Sequence, residues 1–243
     1  MNRLRIASLL TVCLCMPLVS SAQSPSPRAV VSVRELSIPP KAVREFQKGI
    51  DYLKKEDASG SLPHFEQAIA NFSNYYEAYF EIGIADLKLS RTADAEQALR
   101  KSVKMSAGHY ADPLFALGGI LLNQNKFTEG EKVLREALNL NPTSWAGNYC
   151  LGWALLGLNR FQDAEKSVRE AIRWKADAAD SYLLLADIHG HLHDYSTLLH
   201  DLDEYLKLEP NGPMNDKVRS MRDKAEQAIL ESQNTTAASQ PEL

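Results

Sequence analysis

The sequence predicts an all-α chain in which about five helical hairpins stack as an α-solenoid. Three observations carry this expectation. Small residues within apolar stretches recur at Gly49, Gly83, Gly118, Gly152 and Ala186, at spacings of 34, 35, 34 and 34. Two further series keep the same register: Ala68, Ser102, Ala137, Ala171 and Tyr205, and the large apolar residues Phe65, Leu99, Leu134, Val168 and Leu202. Each unit also holds two apolar-periodic stretches of about 12 to 14 residues, a helical length, joined by turns as short as Leu158-Asn159-Arg160. Short connections make neighbouring helices antiparallel.

The elements follow in order. Residues 1–22 read as a secretory leader: Arg3 and Arg5, an apolar stretch from Ile6 to about Val19, then Ser20, Ser21 and Ala22. An uncleaved anchor and lipoprotein processing at Cys13 are the alternatives; Pro17 interrupts the apolar run, and the bulky Val12 fits poorly before a lipidated cysteine. Residues 23–41 form a linker in which Ala29–Leu36 is rich in β-branched residues and reads as extended. The hairpins span 42–75, 76–109, 111–144, 145–178 and 179–212, with an extra residue near Tyr110. In the fourth, the helices are expected at Trp145–Gly157 and Phe161–Trp174. Residues 213–231 carry Val218, Met221, Ala225, Ala228 and Ile229 at helical spacing and should cap the last hairpin, and the polar 232–243 read as a disordered tail.

The motifs carry a family resemblance. LGGILL…EGEKVLREALNLNP and LGWALL…DAEKSVREAI in the third and fourth units resemble the tetratricopeptide repeat, as does IGIADL…DAEQALRKSV in the second. The first and fifth units are degenerate, as terminal repeats often are. Ser61 and Leu198 stand where the second helix usually has a small alanine, and Pro63 lies near the start of the first unit's second helix. The resemblance covers about residues 42 to 212 and implies a right-handed superhelix. Small residues on both helices would let them approach closely, with Phe65, Leu99 and Leu134 filling the space beside them.

Composition narrows the function. The chain is 44% hydrophobic and 24% charged, with net charge -4. Without Arg3 and Arg5 the balance is 25 basic residues against 31 acidic ones, which argues against a nucleic-acid partner. No further apolar run reaches the roughly 20 residues of a span, so no stable membrane span is expected after leader cleavage. With Cys13 and Cys15 in the leader, Cys150 is left alone and reads as a packing residue. There is no phosphate-cradling glycine loop, no CxxC, no HExxH and no GxSxG, so neither an enzyme nor a cofactor is expected.

Two clusters remain. His189, His191 and His193 alternate within five positions, flanked by Asp187 and Asp194, and His200 follows. In the repeat register His189 ends a first helix, where the family usually has tyrosine, and His193 falls in the turn. On a helix, residues i and i+2 point apart. His189 therefore reads as an aromatic substitute; a metal site would need His189, His193 and a carboxylate such as Asp194. The second cluster is a row on the first helices: Phe46, Phe80, Phe115, Tyr149 and Leu183 lie three residues before each small residue, with Ile84 and Trp153 one residue after it. The resemblance implies that this position faces a concave groove for peptides or protein segments. Core between repeats is the other reading of the row. Because these positions are apolar, a clamp for charged chaperone tails is excluded and an apolar helix or extended segment is favoured. The expected function is a non-catalytic interaction scaffold with a protein or peptide partner, exported to the periplasm or secreted, in assembly of an envelope or secretion complex. A metal-binding protein using the His189–His200 cluster and a self-assembling structural protein are the alternatives, and the sequence leaves the oligomeric state open.

Overall fold

The computed structural model describes residues 37–238, with side chains to residue 231; the expected leader, the extended 29–36 segment and the end of the tail lie outside these residues. Eleven helices and no strand are present among the described residues: α1 (Pro40–Lys54), α2 (Ala58–Asn71), α3 (Tyr76–Lys88), α4 (Thr92–Met105), α5 (Ala111–Asn123), α6 (Phe127–Leu140), α7 (Trp145–Gly157), α8 (Phe161–Trp174), α9 (Ala179–Leu192), α10 (Tyr195–Leu208) and α11 (Asn215–Ala238). The first ten pair into five hairpins. Both helices of the fourth have the bounds read from the sequence.

The helix starts have local causes. Pro40 begins α1 in the first helical turn, where its missing N–H is no loss. Asp57 caps α2 by accepting from the Gly60 N–H at 2.7 Å, and Ser144 caps α7 by accepting from the Gly147 N–H at 3.1 Å. Pro63 is accommodated within α2. The last helix continues to Ala238, past the expected end at 231, because no proline or glycine intervenes to stop it.

The chain divides into two compact units. The first takes residues to Gln124 and Lys132–Asn141; the second takes Asn125–Glu131 and everything from Pro142 on. In the first unit α1 packs on α2, α2 on α3, α3 on α4 and α4 on α5. One core joins Phe80, Leu87, Ala95, Leu99, Ala116, Leu117 and Ile120, and another joins Ala42, Ala68, Tyr75 and Ala78. In the second unit α7 packs on α8, α8 on α9, α9 on α10 and α10 on α11. There Val218, Met221 and Ala225 of α11 join Ala186, Leu198, Leu202 and Tyr205 in one core. The C-terminal helix thus covers the fifth hairpin, as a capping element should.

The 34-residue register has a steric basis. A Cβ placed on Gly83 would come 2.7 Å from Leu99 Cγ, and one on Gly118 would come 2.5 Å from Leu134 Cδ2. Gly49 meets Phe65, and Gly152 meets Val168, in the same way. The small series and the large series are the two sides of one contact within each of the first four hairpins.

The turns repeat as well. Glu56, Ser90, Asn125, Asn159 and His193 all adopt positive φ, between 58° and 63°. Their spacing is again 34, 35, 34 and 34. The extra residue before Tyr110 is absorbed by Ala107 and Gly108, both also at positive φ. Asparagine tolerates this region better than other L-residues with a Cβ. Exposed Glu56→Asn and Ser90→Asn should therefore each add about 0.5 kcal/mol, read as a small upward shift in the urea midpoint.

Candidate functional site

The apolar row of the first helices is split by burial. In the first unit, Phe46 packs against Phe65 with ring centroids 5.6 Å apart and stacks on Tyr75 at 4.9 Å. Phe80 is 8% exposed and meets the Tyr110 ring edge-on at 5.4 Å. Ile84 is half-buried against the same core, and Phe115 is half-buried on α5. In the second unit, Tyr149 is 7% exposed, Trp153 is half-buried, and Leu183 packs partly buried against the core of α9, α10 and α11. Phe80 and Tyr149 are thus core residues, while Phe46, Ile84, Phe115, Trp153 and Leu183 keep part of their surface in solvent.

Beside this row the first unit carries an acidic group that the sequence pattern did not reveal. Tyr110, which precedes α5, sits against the Tyr76 ring at 5.5 Å. Burial pushes its hydroxyl upward, and the charges of Asp112, Glu81 and Glu77 add to this. Burial likewise raises the Asp112 carboxyl, partly offset by the hydrogen bond from Tyr110. Glu81 is pushed up to about 7, mainly by burial and then by the charge of Asp112. A carboxyl raised in the folded state favours folding below its unfolded value and loses that advantage as pH rises through about 7. Glu81→Gln should therefore stabilise the protein by about 1–2 kcal/mol at pH 8 and by much less at pH 5, a difference that thermal melts at the two pH values would show.

The histidines do not act together. His189 is 2% exposed at the end of α9. Its Nδ1 lies 2.6 Å from Asp201 Oδ2 on α10, and its Nε2 lies 3.5 Å from Glu165 Oε1 on α8. Glu165 in turn pairs with Arg169 at 2.8 Å. Burial alone would lower the basicity of His189; the hydrogen bond and charge of Asp201, followed by those of Glu165, outweigh it and hold the ring above its ordinary value. His191 instead stacks on Phe161, centroids 4.9 Å apart and planes 8° from parallel. His193 takes the left-handed turn conformation, its Nδ1 3.3 Å from the Tyr195 hydroxyl. Asp194 caps α10, accepting from the Thr197 N–H at 3.1 Å and from its hydroxyl at 2.7 Å. His189, His193 and Asp194 are therefore not brought together, and among the described residues no group of three or more His, Cys, Asp or Glu side chains is placed to hold a metal ion. Cys150 is buried, and its thiol is pushed up to about 12, so it stays protonated at neutral pH.

Glu165 and Asp201 were not anticipated as partners of His189, yet one signal was present. Glu96, Glu131 and Glu165 occupy the same place on three second helices, 35 and 34 residues apart. Each reaches a polar group of the next hairpin: Glu96 accepts from Gln124 at 3.3 Å, Glu131 pairs with Arg160 at 2.7 Å, and Glu165 faces His189.

Comparisons with known proteins agree with this architecture. The tetratricopeptide repeat model matches four overlapping stretches, residues 46–110, 82–148, 115–181 and 149–196. No curated protein sequence matches the chain. Among solved structures, MamA 41-end from Desulfovibrio magneticus RS-1 is similar with a TM-score of 0.64 and 18% identity, over 73% of this chain and 99% of that one. YrrB, described as a TPR protein with an unusual peptide-binding site, gives 0.60 and 14%, over 74% and 92%. The pilF protein of Pseudomonas aeruginosa gives 0.68 and 18%, over 82% and 88%. At these identities the likeness concerns the fold alone. No helix among the described residues is long and apolar enough to cross a membrane. The matched repeats cover most of the chain, and with the paired helices, the small-on-large contacts and the repeating turns they make it a member of the tetratricopeptide repeat family.

Proposed function

We propose that the protein is a non-catalytic interaction module that binds an apolar peptide or amphipathic helix of a partner protein along the first-helix faces of its hairpins. The observation that carries this reading is the partial exposure of apolar first-helix residues at two repeat positions, above all Phe115, three residues before a small residue, and Trp153, one residue after one. Large apolar side chains held half in solvent on rigid helices are suited to a complementary apolar ligand. YrrB, with its peptide-binding site, lends the reading support by analogy of fold. The leader-like residues 1–22 favour an exported protein, and assembly of an envelope or secretion complex is the role proposed for it.

Variants for testing this must spare the core. Phe80 and Tyr149 are too buried, and a charge there would unfold the hairpins before it reported on binding. Phe115→Ser and Trp153→Ser are the informative changes. With circular dichroism unchanged, loss of partner capture from an envelope extract of the source organism supports the reading. Capture equal to wild type by the folded double variant rejects it.

A further inference from the structure

We propose that the protonated imidazole of His189 is a pH-dependent latch that ties the fifth hairpin to the second helix of the fourth. Three helices of the second unit meet at this ring: α9 supplies His189, α8 supplies Glu165 and α10 supplies Asp201. With the ring charged, two cations, His189 and Arg169, face two carboxylates, Glu165 and Asp201, and the set is balanced. Burying the His189–Asp201 pair within this set costs desolvation and adds little net stability over an apolar contact. The tyrosine usual at this position in related repeats would fill the same space without a charge. What histidine adds is dependence on a proton.

Loss of that proton changes the contact in a defined way. Nδ1–H still donates to Asp201, but Nε2 becomes a lone pair facing the Glu165 carboxylate. The attraction between α8 and α9 is lost there, and buried Asp201 loses the cation that faced it. The fifth hairpin carries the C-terminal helix with it, since α11 rests on α10 through Val218, Met221 and Ala225 and through the Arg222–Asp203 pair at 2.7 Å. The remaining charged groups near the ring act in known directions. Two hydrogen bonds from Thr197, and after them the charge of His189, hold the Asp194 carboxyl in the turn below its ordinary value, so its negative charge favours the charged ring. On α9 itself Asp187 lies 3.9 Å from His191, and Lys217 of α11 also acts on Asp187.

The sign follows from the ring's raised value. The latch is closed below the ordinary histidine range and opens as pH rises through the higher, folded-state value. Its acid limit is set by Glu165, where burial is outweighed by Arg169 and His189 so that the carboxylate persists below its ordinary value.

Hydrogen exchange of the full chain, measured from pH 5 to 9 and corrected for intrinsic rates, tests the proposal. Protection of residues 179–231 should fall about tenfold more across this range in the wild type than in His189→Tyr, with no such difference between the two proteins in α1–α4. The His189 ring, followed by NMR in the wild type, should titrate above ordinary histidine, and Asp201→Asn should lower that value. Equal pH profiles for wild type and His189→Tyr, or a ring that titrates at or below the ordinary value, would overturn the latch. Should His189→Tyr fail to fold, the ring titration in the wild type decides alone.

Discussion

Gly118→Leu is expected to cost about 2–3 kcal/mol, and Leu134→Ala about 2–5 kcal/mol, while the double variant should recover a large part of either loss. Leu134 is fully buried, and its Cδ2 would lie 2.5 Å from a Cβ on residue 118. A leucine there cannot be accommodated without pushing the two helices apart. The gain in helix propensity over glycine, about 1 kcal/mol, does not offset that strain. Truncating Leu134 alone leaves a cavity; exchanging the two sizes across the contact fills it again. Urea unfolding of the wild type, both single variants and the double variant gives the coupling directly. Additive losses would mean that the small-on-large contact is not what keeps the helices close.

Asp201→Ala should destabilise the second unit by about 3–5 kcal/mol, more than any exposed ion pair in the protein could. The change takes the nearer carboxylate from the buried His189 ring, which then either keeps a charge poorly compensated by Glu165 at 3.5 Å or gives up its proton and the attraction with it. By contrast, removing Asp163, which pairs with exposed Arg160 at 2.8 Å, should leave stability nearly unchanged. Thermal melts of both variants at pH 6 distinguish a buried network from a surface one.

Much of the fold was legible because each hairpin repeats one local problem. Gly83, Gly118 and Gly152 mark close approach, Leu99, Leu134 and Val168 mark the partner side, and Leu158-Asn159-Arg160 marks a turn whose Asn159 takes the left-handed conformation. These are short-range constraints written within one unit. The partners of His189 were not legible in the same way. Asp201 is 12 residues ahead and Glu165 is 24 behind, each on another helix, and only the packing brings the three together. The histidine pattern invited a metal reading because its residues are close in sequence, yet the helix sends His189 and His191 to different neighbours and the turn redirects His193. Glu81 was missed for a similar reason: what raises its carboxyl is burial and the charge of Asp112, 31 residues away and on another helix. The register of the aromatic row was readable, but its division was not, since Phe80 and Phe115 hold the same place in consecutive repeats and differ in what covers them.

Photocrosslinking tests the central claim most directly. A benzophenone side chain placed at 115 or 153 reports on the first-helix faces, and one at exposed Lys104 or Lys166 reports on the second helices. The account predicts a partner adduct from 115 or 153 and none from 104 or 166. Adducts formed only from 104 or 166 would contradict it and move the binding surface to the second helices.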